Sequence, residues 1–496
     1  MSNRPNILLI VIDQFRADLL DGRLAEVANL TSLRALMDET TVFPRHYSVV
    51  SPCGPSRVSL LTGQYAMNHR AVRNGTPLRH DTPNLASCLR EAGYDPLLFG
   101  YTDTAHDPRV LDADDPRLTS YEELMPGFRE VLRMRQETDD EVWRDHLRAN
   151  GYEVPDGYAL YEPDGDTIDA PARYRAEDSD TAFLTDRFLE HMHEAAPGWC
   201  AMLTYIRPHP PLVAPAPYNR MYDPADIPPP ASSSDNAVHP FLELLAEKTP
   251  ARAVVKGFPD LEATPETVQK LRAVYLGLAR EVDDHIGRVV RWLKDSGQWE
   301  DTILVVTADH GEMLGDYGLW QKAAYLDGSF HVPMMIRAPG LARQRGVTGL
   351  SESIDVAPTL LDLAGVAIPD TMNGISLRKA LESGETGKRM VMSEHDFGDP
   401  VHPTLFQKRL NLHSSACNYA ILRSETHSLV HFAEGLPQVL FDMTAAGEAR
   451  DLSRAPESAA LRLEMTQKLL SHRMIHPEST FAQTMVVDGG VQRGTE

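Results

Sequence analysis

The sequence predicts an α/β fold: helices on both faces of a mainly parallel central sheet, followed by a small C-terminal α+β subdomain. Three observations carry that expectation. Continuous β-rich apolar runs, Asn6 to Ile12 (NILLIVI) and Thr302 to Thr307 (TILVVT), suit strands covered on both faces. Helical periodicity fills the chain between such runs, most clearly from about Pro265 to Gly297. After about Gly384 the rhythm shifts to short strands separated by turns.

In chain order, Asn6 to Ile12 is the first strand. Leu85 to Ala92 reads as a helix closed by Gly93, and Asp95 to Gly100 returns as a strand. Cys200 to Ile206, Thr302 to Thr307 and Val332 to Ile336 continue the strand series, and this alternation is the pattern of a sheet sandwiched by helices. The proline-rich stretch Arg207 to Pro230 is expected to be an ordered loop or lid, because a strand precedes it and more α/β pattern follows. Tyr419 to Arg423, Ser428 to Phe432 and Val439 to Asp442 read as short strands, with a helix from about Ala459 to His472. The expected division is therefore 1–384 for the large α/β domain and 385–475 for the subdomain. A polar arm, 476–496, is expected to reach a neighbouring subunit.

The chain has 496 residues, 42% of them hydrophobic, which allows a sizeable core. Its formal net charge of −23 argues against a nucleic-acid partner, since phosphate backbones need a basic surface. A small anionic substrate is compatible, because a metal ion and a few local cations reverse the field inside a pocket. The first apolar run is short and ends on an acidic residue, so a buried strand is expected and a secretory signal is not. No stretch is long and apolar enough for a membrane helix, and a cytoplasmic location is expected. The cysteines at 53, 88, 200 and 417 are too scattered for a disulfide framework or a zinc knuckle.

In an open α/β sheet, sites form beyond the carboxyl ends of the strands. Four candidate strands end there in reactive groups: Asp13-Gln14, Tyr101-Thr102-Asp103, Arg207-Pro208-His209, and Asp309-His310-Gly311-Glu312. Singly, a carboxylate after a strand is often a helix cap and a histidine is usually structural. Together at one sheet edge they point to a site. Asp13, Gln14, Asp309 and His310 form an oxygen-rich set with one imidazole, suited to Ca²⁺, Mn²⁺ or Mg²⁺, with Zn²⁺ also accommodated. In SPCGPSRVSLLTG, Pro55 suits a first helical turn, which sets Cys53 at or just before a helix N-terminus, where the helix dipole favours an anion. A buried turn cysteine is the plainer alternative.

Cys53-Gly54-Pro55-Ser56-Arg57, followed by Leu61-Thr62-Gly63, resembles the C-x-P-S-R…TG signature of type I sulfatases in the alkaline phosphatase superfamily. NILLIVIDQ and ADHGEMLGDYGLWQK stand where that family's other motifs are expected. The segments GQYAMNHRAVRNGTPL, GYDPLLFGYTDTAHDPR and YIRPHPPLVAPAPY look closest to its phosphonate monoester hydrolase/arylsulfatase branch. The resemblance implies an alkaline-phosphatase-like sandwich, with one divalent ion held by Asp13, Gln14, the modified Cys53, Asp309 and His310. It implies that a formylglycine-generating enzyme oxidises Cys53 to formylglycine, whose hydrate presents the nucleophile. Arg57, Asn74, Tyr101, His209 and Lys322 would contact the substrate anion, His209 or Lys322 protonating the leaving alcohol. A homo-oligomer, dimer or tetramer, is also implied. Asp103 stands where that branch carries threonine, so this carboxylate must be protonated, paired, or facing a cationic group on the substrate. The last case fits a choline-sulfatase-like enzyme. An unmodified Cys53 acting on phosphate esters, and a non-catalytic scaffold of the same fold, are the remaining alternatives.

Overall fold

A computed structural model describes residues 4–135, 139–234, 238–445, 447–478, 484–487 and 490–493. The first strand, Asn6–Ile12, is buried along its whole length. It pairs in parallel with Cys200–Tyr205 on one side and Thr302–Ala308 on the other. Pro96–Gly100 and Arg129–Arg133 extend the sheet in parallel beyond Cys200–Tyr205. Met334–Arg337 and Thr41–Val42 close the opposite edge with antiparallel pairings. The sheet is thus mainly parallel, as its apolar runs predict. The expected fifth strand is its antiparallel member.

Alternation along the first strand divides the core. Leu8, Ile10 and Ile12 face one apolar layer with the long helix Pro265–Asp295, through Val274, Leu278 and Val282. Ile7, Leu9 and Val11 face the other layer, with Val58, Leu60 and Leu61 of helix Cys53–Thr62. The helix that starts at Cys53 is therefore laid against the sheet by its apolar residues. Register does the rest: Ile12 lies beside both Tyr205 and Ala308, so Asp13, Ile206 and Asp309 leave the sheet at one edge.

A second sheet runs Val439–Asp442, His427–Phe432, Asn418–Ser424, Met390–Asp396, Val50–Ser51. Its last member comes from the N-terminal part of the chain and pairs in parallel with Glu394 and His395. The segment just before Cys53 is thus held by the C-terminal part. Helix Ala459–Ile475 packs on this sheet through Met465 and Leu469. Within the expected arm, Thr484–Val487 and Gly490–Arg493 pair as an antiparallel hairpin. Residues 476–478 of the arm are also described, and 479–483, 488–489 and 494–496 lie outside the described residues. The acidic run from 136 to 147 reads as surface or packing. Residues 136–138 lie outside the described residues, and the rest opens helix Glu141–Ala149, which buries Trp143, Arg144 and Leu147.

Candidate active site

Asp13, Cys53, Asp309 and His310 place one ligand atom each within 4.8 Å of one another, all four side chains buried. Asp13 Oδ2 accepts from Arg57 Nη2 at 3.2 Å and from the Tyr101 hydroxyl. Its other oxygen, Oδ1, is buried without a hydrogen-bond partner among the described residues and faces His310 Nε2 at 3.7 Å. A buried carboxylate oxygen left unpaired costs free energy unless a cation meets it. Asp309 Oδ1 accepts the backbone N–H groups of Gln14 (3.1 Å) and His310 (2.8 Å), and Oδ2 accepts from Arg57 Nε at 3.1 Å. Burial and the neighbouring Asp13 push the Asp309 carboxyl up to about 7. Two carboxylates this close cannot both ionise comfortably until a cation neutralises them.

His310 Nδ1 donates to the carbonyl of Gly311 at 3.1 Å, leaving Nε2 a bare lone pair toward Cys53 Sγ, 3.3 Å away. This is the tautomer a metal ligand needs. Gln14 takes a left-handed backbone, φ 62°, which turns its side chain into the site. Its amide nitrogen donates to Glu312 and its Oε1 accepts from Lys322 Nζ at 2.9 Å, so Glu312 fixes which end of the amide faces the centre. Glu312 is held in turn by the N–H groups of Leu314 and Gln321. Carboxylates, an amide oxygen and one imidazole are the donor set of a divalent cation, and the unpaired Asp13 Oδ1 fits one.

Cys53 opens helix Cys53–Thr62, with Lys322 Nζ 3.0 Å from its sulfur. Burial and the charge of Asp13 push the thiol up despite Lys322, so it stays protonated in the metal-free site. Lys322 is held above its ordinary value: burial opposes its charge, but Cys53 and Asp13 outweigh that. His209 is pushed down to about 3 by burial and the charge of Lys322. Its Nδ1 donates to Pro210 O at 2.5 Å. Asn74, at the exposed mouth of the site, accepts the Gly54 N–H at 3.1 Å, on the first turn of the helix.

Three of the residues expected around the substrate are engaged with protein groups at the site. The Arg57 guanidinium is wholly buried behind the carboxylates, bonding Asp13, Asp309 and Tyr101 and stacking 4.0 Å above the Tyr101 ring. Tyr101 is buried with it, its hydroxyl on Asp13. Both support the ligands from behind, because helix Cys53–Thr62 lies on the sheet face and aims residue 57 at the strand ends. Asp103 is buried and ion-paired to Arg135 Nε at 3.1 Å, so it does not present a free carboxylate to a cationic substrate. Of two supporting groups, Arg135 carried no sequence signal, while Arg207 stood in the strand-end motif without its role being legible. Arg135 lies beyond the edge strand, and Arg207 clamps the His209 loop by bonding Asp180 and Pro211 O, both at 2.9 Å.

Carboxylates at adjacent parallel strand ends, around a cysteine at a helix start, define a hydrolase centre of the sulfatase type. The sulfatase family profile matches residues 5–366, and that of the N-sulphoglucosamine sulphohydrolase C-terminal region matches residues 315–474. The chain belongs to the sulfatase family of the alkaline phosphatase superfamily.

Among solved structures it is similar to phosphonate monoester hydrolase SpPMH from Silicibacter pomeroyi. The two are 50% identical over 99% of both chains, with a TM-score of 0.95. It is also similar to the phosphonate monoester hydrolase of Agrobacterium radiobacter, 37% identical, TM-score 0.93, covering 99% of this chain and 100% of that one. The multifunctional alkaline phosphatase superfamily protein PehA of Trinickia caryophylli is 38% identical over 96% of each chain. The choline-sulfatase of Rhizobium meliloti is 26% identical, covering 79% of this chain and 74% of that one.

Proposed function

We propose that the protein hydrolyses phosphonate monoesters and sulfate esters with a nucleophile derived from Cys53 by oxidation to formylglycine, beside one divalent ion, Ca²⁺ or Mn²⁺. The observation that carries this reading is Cys53 at a helix N-terminus between His310 Nε2 and Lys322 Nζ, facing the unpaired oxygen of Asp13. The buried thiol is a poor nucleophile by itself, which favours a modified side chain whose oxygen takes the place of Sγ. Formylglycine supplies a hydrated aldehyde carbon, one oxygen for attack and a second for release of the product, and the divalent ion supplies positive charge for both. Asp13, Asp309, His310 and the Gln14 amide oxygen would hold the ion.

The remaining steps belong to this chain's own groups. Lys322 stays an ammonium, neutralises charge on the ester oxygens, and donates a proton to the leaving oxygen. His209 stays neutral and orients the ester. Asn74, bonded to the Gly54 N–H, positions the first turn of the helix toward the anion.

A formylglycine-generating enzyme is the partner this requires. A homo-oligomer is supported by exposed Leu463, Leu470, Met474 and Ile475 on the last helix, and by Met485 and Val491 on the hairpin. The test is the mass of tryptic peptide 46–57 from a host able to activate sulfatases, read alongside turnover. A peptide about 18 Da lighter than the cysteine form, in protein that hydrolyses both ester types, is expected. Full turnover by protein carrying only unmodified cysteine overturns the reading.

A further inference from the structure

Asp103 and Arg135 are a charged pair that the chemistry above does not use. Asp103 takes a left-handed backbone, φ 52°, at the turn that follows strand Pro96–Gly100. Its carbonyl oxygen packs against the first turn of the Cys53 helix, 3.0 Å from where a side chain on Gly54 would begin. Its carboxylate meets Arg135 Nε at 3.1 Å, and Arg135 Nη1 meets Glu122. All three side chains are mostly buried. The same glycine, Gly54, gives its N–H to Asn74 at 3.1 Å, so the turn that carries Asp103 and the residue at the mouth of the site meet at the first turn of the Cys53 helix.

An arginine held on the turn that packs against the Cys53 helix would, by itself, add a second cation to the side of the site that Lys322 serves. Two cations suit a doubly charged phosphate monoester better than a singly charged ester. Here two carboxylates face the guanidinium and cancel it. We propose that Asp103, with Glu122 behind it, is a charge filter: it masks Arg135 and biases the site toward singly charged esters against doubly charged ones. Asp103 is thus a specificity determinant acting through Arg135. This deepens the proposed ester hydrolysis and rests on it for the substrate class.

The test compares the activated, metal-loaded protein with Asp103→Asn, a substitution that keeps the left-handed turn available and removes the charge. The substrates are 4-nitrophenyl sulfate and 4-nitrophenyl phenylphosphonate, both monoanions, and 4-nitrophenyl phosphate. They are compared at about pH 8, above the second phosphate pKa near ~6. The ratio of kcat/KM for the dianion to that for each monoanion should rise on the order of tenfold, the size of one unmasked and partly screened charge. Calorimetric binding of sulfate relative to sulfamate, a dianion against a monoanion, should shift the same way and does not depend on turnover. Glu122→Gln, which leaves Asp103 in place, should move both ratios in the same direction by less, and it stands in if Asp103→Asn fails to fold.

Equal slowing of all three esters, with both ratios unchanged, overturns the filter and leaves the pair a brace. Wild-type protein that hydrolyses none of the esters sinks the proposed function. The sulfate-to-sulfamate ratio then still decides the filter, which an unchanged ratio overturns.

Discussion

Two buried clusters in this molecule are built from similar parts, a pair of carboxylates with buried cationic side chains, and serve opposite ends. One is Asp13 and Asp309 with Arg57 and Lys322. The other, beneath the last helix, is Glu352 and Asp355 with Lys388 and Tyr65. In the second every carboxylate oxygen has a partner. Glu352 accepts from the Tyr65 hydroxyl at 2.9 Å, from Lys388 Nζ at 2.8 Å and from the Met392 N–H at 2.7 Å. Asp355 accepts from Lys388 Nζ at 2.7 Å, from the Ile375 N–H at 2.8 Å and from the Glu352 N–H at 2.9 Å. In the first, Asp13 Oδ1 has none. A closed set of hydrogen bonds fixes structure, and the one left open marks where something else must bind.

The comparison breaks most sharply at Asp13. Asp13→Asn should lower ester hydrolysis by roughly 10³-fold or more and remove the bound divalent ion. The stability of the metal-free protein should stay within about 1 kcal/mol, because one of two repelling carboxylates has gone. Metal content by mass spectrometry and urea midpoints read both, and an ion retained at full stoichiometry would refute the ligand assignment. Lys388→Met should do the reverse. Stranding two buried carboxylates costs about 3–5 kcal/mol, seen in the denaturation midpoint, while kcat/KM per folded molecule is unchanged.

A titration sharpens the contrast without mutation. The metal-free fold keeps Asp309 protonated up to about 7, whereas the unfolded chain releases that proton near ~4. The unfolded state therefore binds fewer protons in between, and stability must fall as pH rises through that window, by roughly a few kcal/mol. Saturating divalent ion should abolish the slope, and a flat metal-free profile between those limits would contradict the open-site account. The smallest effect belongs to Tyr65→Phe, which removes one hydroxyl from the closed cluster. A loss of about 1 kcal/mol in stability with unaltered hydrolysis is expected from thermal melts and initial rates.

The two clusters were not equally readable in advance. Asp13 and Asp309 announce themselves because each follows an unbroken apolar run, and Cys53 because Pro55 marks a helix start. Those signals are local. Glu352 and Lys388 meet only through tertiary folding, and nothing in the sequence links them. The same blindness hid the inward aim of Arg57, since a motif gives a residue's place and not its direction. Strand Arg129–Arg133 escaped notice because an edge strand carries charge on its open side, here Arg129, Glu130 and Arg133. Arg135 follows directly, in a stretch that reads as solvated. Strand Met390–Asp396 ends in Glu394, His395 and Asp396, which blurs its apolar start.

The pairing of Val50 and Ser51 with Glu394 and His395 also sets a clock. Folded, the protein leaves Cys53 only 6% exposed, under a structure that the last hundred residues help to close. The enzyme proposed to oxidise that cysteine would reach it most readily on a chain still being made. Roughly 340 residues separate Cys53 from its closing strand, so at about 5–20 residues per second the opening lasts on the order of 17–70 s of synthesis. On the proposed chemistry, how fully a batch of this protein is activated becomes a race between translation and oxidation.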